Sequence, residues 1–373
     1  MQSPAIFSFF SGAGFLDLGF ENSGFDVCYV NECHKAFVEG YRYSRAQLGI
    51  MPPTFGIDTC SIEDIDENRL RESINLIKEG NRTTGFIGGP PCPDFSVGGK
   101  NKGSKGDNGR LSEVYVDLIC RQKPDFFLFE NVKGLYRTKV HRAFFEGLKA
   151  KLIMHGYQLH ERLVNAIEYG APQDRDRIIL IGFRDFSLGK AFDWLGRVYP
   201  DRSAFAYNWP SSEDFETDSV RPLPKDVPKE LTVQHWFDKN QVHAHPNAQH
   251  RFQPRNGLKR FLEVNEGDDS RKSYKRLHRW RYSPTAAYGN NEVHLHPFLP
   301  RRLSVAEALA IQSLPSAFSL PPTMTLTDMF KTVGNGVPYL VARGLAQSIA
   351  THLETSHADN CVQYHQRYQP TAA

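Results

Sequence analysis

The sequence predicts an α/β protein with a doubly wound, mostly parallel sheet and a smaller irregular second unit. Three observations predict it. Short apolar runs alternate with longer amphipathic stretches through the first half, and a glycine turn follows the first of those runs. From about residue 185 the periodicity fades, and helical spacing returns only near residue 304. Strands interleaved with helices bury their apolar faces best as a sheet covered on both sides.

Residues 5–10 read as a buried strand and residues 15–22 as a helix starting after glycines. Residues 27–31 are a second strand, followed by a helical pattern over 35–48. Further strands are expected at 85–87 and 125–129, with a helix over 111–121 between them. A helix over 141–155 precedes two paired strands at 157–166 and 177–183. Beyond residue 185, Pro, Trp and His become common. Helical spacing resumes at 304–313 and 337–352, and the tail after Glu354 reads as disordered. The expected organisation is a main domain from 1–184 plus 300–354, a second unit over 185–299, and a disordered tail over 355–373.

Composition narrows the classes. The net charge of +3 and pI near 8.4 point only weakly to a polyanionic partner, so the distribution of charge matters more than its sum. Cys28, Cys33, Cys60, Cys92, Cys120 and Cys361 form no C-x-x-C pair, which argues against a zinc site or a disulfide framework. A reducing cytoplasmic compartment is the simplest reading. The first residues carry no basic n-region, and no run approaches the roughly 18 apolar residues of a membrane span, so no membrane association is expected.

Four stretches carry chemistry. SFFSGAGFLDLGF at 8–20 is a strand, a glycine turn and a helix start, where Gly12 and Gly14 let backbone approach a ligand. Glu32, at the end of the next strand, is placed to hold ribose hydroxyls. GGPPCPDFS at 88–96 sets Cys92 between prolines on a stiff loop, whereas an ordinary cysteine is a small buried hydrophobe. FENV at 129–132 puts Glu130 at a strand's carboxyl edge, and QDRDR at 173–177 puts Gln173, Arg175 and Arg177 on one face of an extended segment.

SGAG, PPCPDFS, ENV, QDRDR, RRLSVAEALAIQSLP and VGNGVP follow one another in that order. In this the chain resembles the C5-cytosine DNA methyltransferases over nearly its whole length. The resemblance implies a Rossmann-like methyltransferase fold using S-adenosyl-L-methionine, with duplex DNA as substrate. It implies that Cys92 attacks cytosine C6 so that C5 takes the methyl group, and that the base is first flipped from the helix. Glu130 then holds the N3 and amino edge, a task suited by a raised pKa. Arg175 supports the same edge, and Arg177 ranks below it with a structural role as its alternative.

On the cofactor side the resemblance implicates Phe10, Gly12, Gly14, Phe15, Glu32, Pro90, Asn335 and Val337. The acidic residue near the adenine stays open: aligning CSIEDID at 60–66 puts Ser61 at that position with Ile62 after it, and Asp64 is the alternative. Two departures stand out. The family commonly has glycine where Phe15 stands, so Phe15 either crowds the turn or lies against the cofactor, and it often has glutamine where Pro93 stands.

For DNA, the Gly- and Lys-rich stretch 96–111 suits a loop closing over the duplex, with Ser96, Lys100, Lys102, Lys105 and Arg110 meeting phosphates. Residues 185–299 fit a target-recognition domain. The run RKSYKRLHRWR at 271–281 supplies Arg271, Lys272, Lys275, Arg276, Arg279 and Arg281, and Gln173 completes the expected DNA contacts. The pairs His243/His245 and His294/His296 lack ligand-like partners, so no metal is expected.

A stand-alone, monomeric bacterial enzyme is expected, cytoplasmic and on the nucleoid when acting. Its cognate restriction endonuclease is a functional rather than a physical partner. A tRNA-methylating relative would carry a Cys-Phe-Thr signature, which does not occur here. A non-catalytic relative would lack Cys92 or Glu130, and a nicotinamide oxidoreductase would have no use for PPC, ENV or QDRDR.

Overall fold

The computed structural model describes residues 2–91, 107–184, 192–254, 258–271, 273–286, 288 and 293–367, with the backbone alone for 107, 108 and 356–367. Cys92 therefore lies outside the described residues, as do Ser96, Lys100, Lys102, Lys105 and Lys272.

Seven strands form the main sheet: β1 (Ala5–Phe9), β2 (Asp26–Asn31), β3 (Ile57–Asp58), β4 (Thr84–Gly88), β5 (Phe126–Val132), β6 (Gln158–Asn165) and β7 (Asp176–Phe183). Their spatial order is β3-β2-β1-β4-β5-β7-β6. The first five run parallel, while β7 is antiparallel to both β5 and β6. The order reverses between β1 and β4. In open α/β sheets the ligand crevice lies at the carboxyl ends of the strands that flank such a reversal.

Alternation along the strands loads both faces with apolar side chains. Phe7, Phe9, Phe86, Phe127 and Phe129 pack with α3 (Glu67–Glu79), α4 (Asp107–Gln122) and α5 (Lys139–Met154) through Ile74, Tyr115 and Phe145. Ile6, Ile87, Phe126, Leu128 and Ile181 face the other way. They meet Leu16 and Phe20 of α1 (Phe15–Glu21), Tyr41 of α2 (Lys35–Gln47), and Val341, Leu345 and Ile349 of α10 (Tyr339–Arg367). Helix α10 occupies residues expected to be a disordered tail, since no glycine or proline interrupts the chain between Gly344 and Pro370.

The second unit carries two short helices, α6 (Val233–Lys239) and α7 (Leu258–Glu263), and a two-stranded ribbon of β8 (Lys275–Arg276) and β9 (His294–Leu295). It does not close its core alone. Val233, Trp236 and Phe237 pack on Ala306 and Ala310 of α8 (Val305–Ile311), whose start is fixed by a capping box between Ser304 and Glu307.

Three buried histidines make this unit sensitive to acid. Burial pushes His278 down to about 4, and His294 and His296 down to about 3. Their folded-state pKa values lie below the unfolded value, so their contribution is complete above about pH 6.5 and is lost as pH falls toward 3. Each histidine is expected to cost about 2 kcal/mol at pH 5, because the unfolded chain protonates there and the folded chain does not. Urea unfolding at pH 7.5 and 5.0 checks this: His294→Gln should flatten the pH dependence by about that amount.

Candidate active site

The turn after β1 passes through left-handed backbone at Phe10 (φ 53°), Gly12 (φ 57°) and Gly14 (φ 79°). A Cβ on Gly12 would meet nothing within 4 Å, so the turn is open on that side. A Cβ on Gly14 would strike the Arg45 guanidinium and the Tyr41 ring at 2.6 Å. Arg45, buried beneath the turn, donates to the Gly14 carbonyl at 2.7 Å and pairs with Glu21 at 3.1 Å. It is a support that sequence reasoning missed, since a lone Arg on a helix carries no signal.

Glu32 stands just past β2. Its Oε2 accepts the Gly12 N–H at 2.9 Å, and its Oε1 accepts the His34 N–H at 2.7 Å. Both oxygens are thus fixed by backbone while each keeps capacity for a hydroxyl donor. An open glycine turn beside a pre-oriented carboxylate fits a ribose-bearing cofactor.

The other expected cofactor residues divide. Asp64 and Asn335 are exposed, Pro90 is buried, and half-buried Phe10 meets Tyr115 edge-on. Ile62 and Val337 are 5% and 6% exposed and belong to the two sheet-face cores. Phe15 is 2% exposed, packed edge-on against Phe318 at 5.1 Å. It neither crowds the turn nor offers a face to a ligand. It turns into a core with Leu18, Val305 and Leu309 because a large apolar ring at the first position of α1 gains most from burial there.

Glu130 and Arg177 lie on adjacent strands. Arg177 stands opposite Val132, two residues beyond Glu130, so the two side chains share one face diagonally. Arg177 Nε forms an ion pair with Glu130 Oε1 at 2.7 Å. The other oxygen, Oε2, lies where a Cβ on Gly89 would come within 2.6 Å, so only glycine allows this approach. Burial raises the Glu130 pKa above the ordinary carboxylate value, opposed by Arg177 and Arg175. Residues 89–91 lead directly to Cys92, and Asn131 of the same ENV motif donates to the Pro90 carbonyl at 3.5 Å. The acidic group is therefore held against the start of the cysteine loop.

The arginines are ordered differently from the expectation. Arg175, 1% exposed, donates to the carbonyls of Ala286 at 3.2 Å, Gly334 at 2.7 Å and Gly336 at 3.1 Å. It ties β7 to the C-terminal loop, whereas Arg177 is the one that touches Glu130. Gln173 is fully buried, spanning Gln312 at 3.3 Å and the Ala286 N–H at 3.0 Å, so it is no DNA contact in this arrangement. An extended segment does put Gln173, Arg175 and Arg177 together, but into the interior.

The basic run also turns inward. Arg276 is fully buried on the carbonyls of Val264, His296 and Leu299. Arg279 grips buried Glu266 through Nε and Nη2 at 2.8 Å each. Arg281 pairs with Asp269 at 2.7 Å, and Arg110 pairs with Glu63 at 2.5 Å. Arg271 is exposed and Lys275 half-buried. The acids of NEGDD at 265–269, just ahead of the run, were the missed signal: buried cations need partners, and these lie within reach. Of the histidine pairs, His245 bonds the Phe318 carbonyl at 3.0 Å, and His296 lies 3.6 Å from Glu307. No group of three candidate metal-binding side chains occurs among the described residues.

Comparison with known proteins gives a consistent result. Residues 5–351 match the family model described as C-5 cytosine-specific DNA methylase. A type II methyltransferase, M.NmeDI of Neisseria meningitidis serogroup C, is 56% identical over 363 residues, covering 95% of this chain and 86% of that protein. M.MthTI of Methanothermobacter thermautotrophicus, another type II methyltransferase, is 30% identical over 94% of this chain and 98% of its own. The crystal structure of a putative DNA modification methyltransferase encoded within an E. coli prophage shares the fold. Its TM-score is 0.67 at 22% identity, covering 94% of this chain and all of that one.

Proposed function

The chain belongs to the C-5 cytosine-specific DNA methylases, and we propose that it serves as the modification enzyme of a type II restriction–modification system, acting as a monomer. It is a DNA cytosine-5 methyltransferase, and methyltransferases of this kind draw their methyl group from S-adenosylmethionine. The name of the relative at 56% identity supports the type II assignment, and a cognate endonuclease is the implied functional partner.

The observation that carries the residue-level reading is the Glu130–Arg177 pair pressed against Gly89, three residues before Cys92. In the proposed mechanism the target cytosine is flipped from the duplex, at about a few kcal/mol, because C5 and C6 are inaccessible in the stack. The Cys92 thiolate forms a bond to C6 and pushes the ring electrons toward C5. Glu130, whose pKa burial raises, delivers a proton to N3 and offsets the developing charge, while Arg177 fixes the carboxyl. Each such group supplies about 2–4 kcal/mol of transition-state stabilisation. Arg175 acts one step removed, by holding the C-terminal loop.

S-adenosylmethionine, when bound, supplies an electrophilic methyl group on a sulfonium leaving group. Glu32 would hold its ribose, with Gly12, Gly14 and Asn335 near it and Asp64 on the adenine side. Once C5 carries the methyl group its proton is lost to solvent, the S–C6 bond breaks, N3 returns its proton to Glu130, and the Cys92 thiolate is restored. For DNA, exposed Arg271 and the stretch 96–111 are the proposed phosphate contacts.

Labelled methyl transfer to duplex DNA and to tRNA, side by side, tests the assignment. The expected result is 5-methylcytosine in duplex DNA only, confined on sequencing to one short recognition sequence. Methylated tRNA, or modification scattered without sequence preference, contradicts the proposal.

A further inference from the structure

We propose that Phe15 is a positioning residue that seats the C-terminal end of the helix carrying Asn335, and the loop after it, on the glycine turn, and that Gly336 is its required receptor. A Cβ on Gly336 would fall 2.1 Å from Phe15 Cδ2, 2.6 Å from Cε2 and 3.0 Å from Cγ. The ring therefore fills the volume that any other residue at 336 would need. Gly336 has a φ of −63°, so its backbone demands no glycine, and the contact is the reason for one.

The opposite side of residue 336 is held as tightly. Its carbonyl accepts from Arg175 Nη2 at 3.1 Å and from Gln312 Nε2 at 3.5 Å, while Arg175 also holds Gly334 at 2.7 Å. The loop that follows α9 (Leu326–Asn335) is thus clamped between an aromatic ring from the cofactor turn and a guanidinium two residues from Arg177. Phe15 lies immediately after Gly14 in the turn, so ring and turn move together. Phe330 and Val333 of α9, with Phe318 edge-on at 5.1 Å, close the pocket around the ring. Two chain segments about 320 positions apart become one wall, and Phe15 with Gly336 replaces a flexible seam by a fitted joint.

The inference rests on the reading that this wall bounds the S-adenosylmethionine site. Equilibrium dialysis of labelled S-adenosylmethionine with the full chain, DNA absent, tests both. Glu32→Gln probes the site itself, and its full retention of affinity overturns the reading and the joint together. With that site upheld, Gly336→Ala is expected to weaken binding about tenfold in the parent but less than about twofold in a Phe15→Ala background, where the methyl group has room. Equal losses in both backgrounds overturn the joint.

If Gly336→Ala does not fold, as judged by circular dichroism, Phe15→Leu takes its place. It is expected to raise KM for S-adenosylmethionine about fivefold while kcat at saturation stays within about twofold. A role in stability alone would lower Tm and leave that KM unchanged, which also overturns the proposal.

Discussion

Replacing Cys92 by alanine is expected to lower methyl transfer to duplex DNA by about 10⁴-fold or more, with S-adenosylmethionine and DNA binding retained. The size of the loss follows from the substrate. C5 of an aromatic pyrimidine is a poor nucleophile until a covalent bond at C6 breaks the conjugation, and no neighbouring group can substitute for a thiolate in forming that bond. Binding should survive because the substitution leaves the glycine turn, Glu32 and Arg271, the groups proposed to hold cofactor and DNA, unaltered. Single-turnover methylation and a gel-shift titration of the same preparation check the two halves. A variant that turns over normally would mean that the nucleophile has been misassigned.

Glu130→Gln ranks second, with an expected loss of about 10²–10³-fold in kcat and little change in KM for S-adenosylmethionine. Glutamine keeps the shape and can still hydrogen-bond N3, but it cannot deliver a proton or form the ion pair with Arg177. The pH profile gives a sharper reading. Burial raises the Glu130 pKa, so the protonated form needed for N3 is present below it and lost as pH rises through it. The alkaline fall of kcat should therefore disappear in Glu130→Gln. Arg177→Ala should resemble Glu130→Gln in rate. Arg175→Ala should show itself first as lost stability, because it leaves the Ala286 and Gly334 carbonyls without their donor and takes one of two from Gly336.

Much of the fold was legible because its local signals agree. Buried strands β1, β2, β4 and β5 are apolar runs bounded by turns; the expected bounds of β1, β2 and β4 fall within about one residue of those observed, while β5 runs on to Val132, past its expected end. Less was legible where the signal is short or mixed. β3 is only two residues long. α3 shows Leu70, Ile74 and Ile77 among mostly polar or charged neighbours and is read correctly only with its Asp66 cap. In the second unit, Arg276 and Arg279 look like a solvated basic face until the acids upstream fold back on them.

The candidate site divides on the same lines. Cys92, Glu130 and Glu32 could be named because each lies near or just past the carboxyl end of a strand in the sequence, where position alone implies a crevice. The ranking of Arg175 over Arg177 could not be read from spacing. In QDRDR both share a face, and only strand pairing shows that Arg177 is diagonal to Glu130 while Arg175 reaches the loop of Gly334 and Gly336. Phe15 is the clearest case. A departure at the glycine turn looked like a threat to the cofactor pocket, and its compensation sits at Gly336, far along the chain.

A duplex carrying 5-fluorocytosine at the target position tests the covalent step most directly. Fluorine at C5 cannot leave as a proton does, so the complex should stall with the enzyme bonded to the ring. Incubation with S-adenosylmethionine followed by proteolysis and mass spectrometry should find the nucleotide on the peptide containing Cys92. An adduct on another residue, or quantitative turnover with no adduct, contradicts the account.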